Sequence, residues 1–323
     1  MSNWKVTLIS PDGDEMIVHP ENLATHGVYI TESGVKGDII DAPVKTEWDS
    51  LAKQEGGTQR GVDWEYRDFS LQFHVTDNSR MSAEEADSML RMMFDYEEDE
   101  WDVDNPNRQG RMKIEIVGGP FAGSERTVDI LMYEAPEMEL SRDPFKEQYF
   151  CPTLNFRAGQ PMYYDNPKVD VQAFDFTGSG TFEGEVLCYN PTDRAVRQTW
   201  IVAAGAGARA WLPDFSWVGP RGRREIGGPN PTRMIQVPEI TAEGGGIRVT
   251  LKRGKVMVED LNGTNAMGRM PVQGQFFMYR IPPYTPKTML PVKIMNVPPS
   301  NPGGRIELHM DRFWSRPYGL ELF

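Results

Sequence analysis

The sequence predicts a mainly β protein of two domains: a sheet- or barrel-like first half with one packed helix, then a β-sandwich. Three observations carry that expectation. Short runs of alternating apolar residues recur along the chain between 31 Gly and 25 Pro, as expected for many short strands bounded by turns. Only one stretch spaces its apolar residues at a helical period. The charge is also divided: residues 1–157 carry 32 acids against 15 bases, a net of −17, whereas residues 158–323 carry 15 acids against 19 bases, a net of +4. A chain of 323 residues can bury two cores, and the change in composition puts the boundary near Asp165, giving domains 1–165 and 166–323.

Taken in order, "WKVTLIS", "PDGDE" and "MIVH" form a hairpin, with Val6, Leu8, Met16 and Val18 alternating around an Asp-Gly turn. The polar stretch from Thr31 to Gly61 is expected to be a long loop, of the length that is usually functional or an interaction arm. In "WEYRDFSLQFHV" the residues Phe69, Leu71, Phe73 and Val75 share one face. Trp64 and Tyr66 fall out of phase with them, which predicts a bulge near Arg67-Asp68. A helix over about 82–96 follows, opened by the capping pair Ser82 and Glu85 and striped by Ala86, Met89, Leu90, Met93 and Phe94. "RMKIEIV", "RTVDILMY" and "QYFCPTLNF" return to strand alternation. In the second half, "GEVLCYN", "RQTWIVAA", "GIRVTL", "KVMVEDL", "QFFMYRI", "PVKIMNV" and "RIELHMD" are the expected sandwich strands, with a hairpin around Arg253-Gly254.

The motifs that suggest chemistry fail on spacing. The acidic run Asp95–Asp104 cannot be a calcium loop, since its twelfth position is Pro106 counted from Asp95, or Lys113 counted from Asp102. Adjacent carboxylates on one element do not face each other across a cleft as a glycosidase pair must. The run is therefore expected to be a solvated helix end or to face a basic neighbouring subunit, because acids at a helix C-terminus oppose its dipole. Gly205-Ala206-Gly207-Ala208-Arg209-Ala210 matches G-x-G-x-x-A, but Pro213 arrives before the helix that would bind a pyrophosphate. His19, His26, His74 and His309 share no metal-ligand spacing. "RGRR" at Arg221–Arg224 is expected to be a solvated loop. Trp200, Trp211 and Trp217 are expected in the core or at an interface, with a sugar-stacking platform as the alternative. No catalytic residue, metal or cofactor is expected.

Cys151 and Cys188 are too few for a disulfide framework, which fits a reducing cytosol. The start, "MSNWKVTLISPDGDE", lacks the pattern of a secretion signal. No run approaches the ~18 apolar residues of a membrane span.

The order of the first-half elements, from "GVDWEYRDFSLQFHVTDNSRMSAEEADSMLRMMFD" through "GRMKIEIVGGPFAGSERTVDILMYEAPEME" to "FRAGQPMYYDNP", resembles the belt domain of siphophage distal tail proteins. The second half, with "YNPTDRAVRQTWIV" and "IRVTLKRGKVMVEDLNGTN", is similar to their galectin-like β-sandwich. The resemblance implies a ring-forming belt domain over 1–165 and a galectin-like domain over 166–323. It implies a structural virion protein, not an enzyme, assembled in the host bacterial cytoplasm and resident at the tail tip. Six copies would form a ring joining the tail tube protein to the tail-tip hub protein. The implied partners extend to the tape measure protein and to receptor-binding or fibre proteins, which the outward sandwich would anchor. Genomic DNA would pass through without specific binding, and an acidic first half would keep phosphate from adhering. No membrane insertion is implied. Ile39, Ile40, Pro43 and Trp48, apolar residues in the Thr31–Gly61 stretch, are the ring-interface candidates, with packing of the loop onto its own domain as the alternative.

Two rival readings remain at this stage. A carbohydrate-binding module recognising host cell-wall glycan would use Trp211 and Trp217, exposed in a groove beside polar groups. A polysaccharide hydrolase would draw on Glu183 and Glu185, on a sandwich strand.

Overall fold

The computed structural model describes residues 3–50, 55–94, 109–138 and 143–321. It divides into two compact units, one reaching to Asn166 and including Ser315–Gly319, the other running over Pro167–Trp314 and taking in Leu320. The acidic run Asp95–Asp104 lies outside the described residues.

In the first unit, β1 (Trp4–Ile9) pairs antiparallel with β2 (Glu15–His19), with Leu8 opposite Met16. These are followed by β3 (Val28–Gly37), β4 (Val44–Asp49), β5 (Thr58–Trp64) and β6 (Arg67–Thr76). After helix α1 (Ala83–Met92) come β7 (Gly110–Ile116), β8 (Glu125–Met132) and the two-residue β9 (Glu137–Met138). A single turn, α2 (Pro144–Glu147), leads into β10 (Tyr149–Phe150) and β11 (Pro152–Ala158). The main ladder runs β2–β1–β7–β8–β11–β6–β3, antiparallel throughout. Its interior follows from the period-2 pattern: in β6, Phe69, Leu71, Phe73 and Val75 are buried while the residues between them are half-exposed. Each such side chain contributes about 1.5–3 kcal/mol by leaving water.

Helix α1 starts where the sequence says it should. The Glu85 amide donates to Ser82 Oγ at 3.2 Å and the Ser82 amide donates to Glu85 Oε2 at 2.9 Å, so two otherwise orphaned donors are satisfied. Ala83, Ala86 and Leu90 are buried beneath it, and past its end Phe94 meets the Phe156 ring edge-on at 5.1 Å. Gly110 permits that contact, because a Cβ there would stand 2.4 Å from the Phe94 ring.

The expected bulge at Arg67-Asp68 is instead a break between strands. β5 ends at Trp64 and β6 begins at Arg67, so Trp64 belongs to a different pair of strands and owes no phase to Phe69. The Thr31–Gly61 stretch is likewise not one loop. β3 extends to Gly37, and β4 with most of β5 turns the remainder into a two-stranded ribbon.

The division between units falls inside β12 (Tyr163–Phe176). The second unit continues with β13 (Gly180–Asn190), β14 (Thr199–Ala204), β15 (Arg209–Pro213) and the short β16 (Trp217–Val218) and β17 (Glu225–Ile226). β18 (Met234–Gln236), β19 (Ile247–Thr250), β20 (Val258–Asp260), β21 (Thr285–Val297) and β22 (Gly304–Trp314) complete it. Two sheets form, ordered β13–β21–β15–β18 and β12–β22–β14–β19–β20. Trp200, Val202, Leu212, Ile294, Ile306 and Leu308 lie in the core that they share, the arrangement of a sandwich. The hairpin around Arg253-Gly254 is present as β19–β20, with Gly254 at φ +74° in its turn. "QFFMYRI" is not a strand. Phe277 plugs the core, Phe276 and Met278 are exposed, and only Ile281 forms a bridge, to Val196.

Cys188 is fully buried on β13, and burial pushes its thiol up to about 12. Since the thiolate is the reactive form, iodoacetamide at pH 8 is expected to label Cys188 only after denaturation. Peptide mass spectrometry would read this; modification of Cys188 in the native protein would contradict the burial.

Candidate assembly interface

The ribbon β4–β5 pairs with no other strand among the described residues. Its register places Val44 opposite Trp64 and Thr46 opposite Val62, and the Trp48 indole N–H donates to Thr46 Oγ1 at 2.9 Å. Val44, Thr46, Trp48, Val62 and Trp64 therefore share one face. Trp48 is 60% exposed, Val44 52%, Val62 45% and Trp64 37%. The opposite face is charged, with Lys45 opposite Asp63 and Arg60 ion-paired to Asp49. A lone two-stranded ribbon is only marginally stable in water, and a run of exposed apolar residues makes this face the candidate contact surface.

What holds the ribbon's base is a buried cation. Arg67 is fully buried. Its Nε and Nη2 donate to the Pro161 carbonyl at 2.9 and 2.7 Å, Nη2 also to Ser315 O at 3.2 Å, and Nη1 to Asp41 O at 3.1 Å and to Asp38 O. No carboxylate touches it among these bonds; carbonyl dipoles take up the five donors that guanidinium offers. Burial holds its pKa below the ordinary value, opposed by Tyr163, Asp38 and Asp41. The Tyr163 ring lies 4.7 Å from the guanidinium carbon, and its hydroxyl donates to Ile39 O at 2.7 Å. Burial raises the Tyr163 pKa, so the hydroxyl remains a donor. The Ala42 amide donates to Ser315 O at 3.0 Å, and Arg316 pairs with Asp41. The hydrogen bond from Arg316 holds the Asp41 carboxyl below its usual range. Arg126, also buried, donates to the carbonyls of Arg316 at 2.9 Å and Gly319 at 3.0 Å. Two buried arginines thus pin residues 315–319 into the first unit.

These facts sort the four sequence candidates. Ile39 is 5% exposed and its carbonyl accepts from the Tyr163 hydroxyl, so it is packed within its own unit at the ribbon base. Ile40 and Pro43 are half-buried at that base. Trp48 is out on the open face, where Val44, Val62 and Trp64 join it. The alternation in "VKTEWD" could have shown this, since β-type residues alternate there with charges. Arg67 also left a signal: it is in phase with the buried set Phe69, Leu71, Phe73 and Val75.

Trp211 and Trp217 are not brought together. Trp217 packs against the sandwich core, whereas Trp211 lies on β15 between the buried Ala210 and Leu212, with Gln236 and Lys293 opposite it in register. Inward and outward rings do not make one stacking platform. Glu183 and Glu185 are neighbours on β13, Glu183 ion-paired to Lys293 at 2.7 Å, and do not face each other across a cleft. Gly205-Ala206-Gly207 is a turn leading from β14 into β15, a strand. Among the described residues no group of three or more His, Cys, Asp or Glu is placed to hold a metal, and no helix is long and apolar enough to cross a membrane.

No family profile and no curated protein sequence matches the chain. Solved structures do. The Dit protein of phage SPP1, described as a paradigm of the hub adsorption apparatus in phages infecting Gram-positive bacteria, aligns over 95% of this chain and 98% of its own at 13% identity, with a TM-score of 0.53. Chains of the phage P2 baseplate in its activated conformation align at TM-scores of 0.45 with calcium, at 9% identity over 97% of this chain and 98% of that one, and 0.43 with strontium, at 8% identity over 96% and 98%. The fold of this chain, nearly end to end, is that of SPP1 Dit.

Proposed function

We propose that this chain is a non-enzymatic component of a phage tail tip that closes into a ring, six copies around a channel, with the β4–β5 ribbon of each copy laid on its neighbour. The observation that carries the reading is the ribbon's open apolar face. A two-stranded element with Val44, Trp48 and Val62 exposed gains its stability from a surface outside its own unit. The shared fold with SPP1 Dit supports the setting, a hub between tail tube and adsorption apparatus. The partners follow: the tail tube protein on one side, the tail-tip hub protein on the other, and the tape measure protein and receptor-binding or fibre proteins beyond. The net charge of −17 in residues 1–157 suits a wall past which DNA slides without sticking. The same reading places the protein in the virion.

Negative-stain electron microscopy and light scattering of the purified protein test this. Closed rings whose mass is six times 36.6 kDa are expected. If the isolated protein stays monomeric, mixing it with tail tubes should add one ring at the tube end, and failure of both would end the ring reading. Glycan binding by the monomer would then favour the carbohydrate module, with the half-buried Trp211 as its candidate aromatic.

A further inference from the structure

The second unit gathers arginines at one end of its sandwich in a way the assembly role does not use. The amide of Val196 donates to Ile281 O at 2.9 Å and the amide of Ile281 donates to Val196 O at 3.2 Å. In that antiparallel register the next residues out, Arg197 and Arg280, stand directly opposite each other on the face away from the core. The amide of Leu251 donates to Gln198 O at 3.1 Å, which brings the turn bearing Arg253 beside the same point. Burial, and then repulsion from Arg253, Arg280 and Arg194, holds the Arg197 guanidinium below its ordinary pKa. Burial holds Arg194 below its ordinary pKa too, with Asp193 opposing and Arg280 adding a smaller repulsion. Nearby Lys252 is already taken by Asp311 at 2.8 Å. None of Arg197, Arg253 and Arg280 has a carboxylate in ion-pairing range among the described residues. Like charges directly opposite each other oppose folding.

Buried polar side chains fix the backbone beneath Arg194, Arg197 and Arg280. Asn190 Nδ2 donates to Arg194 O at 2.8 Å and to Pro282 O at 2.7 Å, and Thr192 Oγ1 donates to Arg194 O at 3.1 Å. Asp214 accepts the amides of Met278 at 3.1 Å and Tyr279 at 2.9 Å, while Gln198 Nε2 donates to Tyr279 O at 2.9 Å. Asn190, Thr192, Gln198 and Asp214 are all buried. Mutually repelling arginines whose backbone is held in this way would be relieved by an anion placed between them.

We propose that this end of the sandwich binds phosphate groups, gripped by Arg197 and Arg280 with Arg194 and Arg253 beside them. Guanidinium forks match phosphate oxygens two at a time. A phosphate monoester concentrates about −1.5 to −2 charges and three acceptor oxygens in one group. Carboxylates of an extended acidic peptide bring single charges, with same-face neighbours ~7 Å apart along the strand, which fits a converging cluster less well.

Isothermal titration at low ionic strength with inorganic phosphate, glycerol 3-phosphate and poly-L-glutamate, on the full chain and on the double variant Arg197→Gln/Arg280→Gln, tests the site. The wild type is expected to bind phosphate or glycerol 3-phosphate, or both, and the variant to bind at least tenfold more weakly. Preference between the two ligands separates free from esterified phosphate. A thermal readout guards against a misfolded variant: without ligand its melting temperature should equal or exceed the wild type's, since repulsion is relieved, and phosphate should raise only the wild type's. No binding by the wild type, equal binding by both proteins, or tighter binding of poly-L-glutamate than of either phosphate would overturn the proposal. So would a variant that melts lower than the wild type.

Discussion

Replacing Arg67 with Met is expected to destabilise the first unit by about 4 kcal/mol, a large share of the stability of a typical domain. The methionine would fill much of the space but leave the carbonyls of Asp38, Asp41 and Pro161 without the donors that Arg67 supplies, while Ser315 O would keep only the Ala42 amide. An unsatisfied buried polar group costs about 1–3 kcal/mol, and some of these carbonyls would regain water, which is why the figure lies below the sum of full penalties. Arg67→Lys should fall between the two, because one ammonium cannot reach all four acceptors. Urea denaturation followed by tryptophan fluorescence gives the midpoints. Hydrogen exchange locates the effect, with protection expected to fall first at Ala42, whose amide bonds to Ser315. A midpoint for Arg67→Met equivalent to a change within ~0.5 kcal/mol, the range of an ordinary surface substitution, would mean that the carbonyl cluster is not what orders the ribbon base.

Trp48→Ala is expected to do the reverse, leaving the fold alone and weakening the ring. The side chain is 60% exposed, so little packing within its own unit is lost. At an interface a buried Trp is a common hot spot, worth about 2 kcal/mol or more on truncation, which is ~30-fold in the affinity of each contact. Sedimentation velocity over a concentration series should show rings giving way to monomers. Ile39→Ala is the informative contrast. Ile39 is buried beneath the Arg67 site, so its truncation should lower folding stability by about 2–5 kcal/mol. Unchanged assembly in Trp48→Ala would remove the ribbon from the contact even if rings form.

The contrast between Ile39 and Trp48 also marks how far the sequence could be read. Both are large apolar residues in the same polar stretch, and although the alternation of "VKTEWD" marks a stripe that includes Trp48, nothing local shows that Ile39 goes inward. That is decided by Tyr163 and Arg67, which arrive from other strands. The helix start at Ser82, the alternation of β6 and the hairpin at Gly254 were legible because their causes lie within a few residues: a capping pair, a period of two, a turn that favours glycine. The rejected G-x-G-x-x-A was legible for the same reason, since Pro213 is close enough to forbid the helix.

Cation placement defeats local reading. "RGRR" at Arg221–Arg224 is the obvious basic run, yet Arg224 turns to the Gly219 carbonyl and Arg221 lies 5.3 Å over the Tyr284 ring. The cluster that does form takes Arg194, Arg197, Arg253 and Arg280 from segments distant in sequence, joined by the Val196–Ile281 bridge, the Leu251 hydrogen bond and the side chains of Asn190 and Gln198. Residues 315–319 are a further case, pinned into the first unit by Arg67 and Arg126 from far along the chain. By itself, then, the sequence determined the mainly β class, the capped helix and the divided charge, because composition and near-neighbour sterics decide those. Only the tertiary structure decided which apolar side chains remain in water and where buried or repelling arginines meet, because those depend on carbonyls and charges that distant strands bring together.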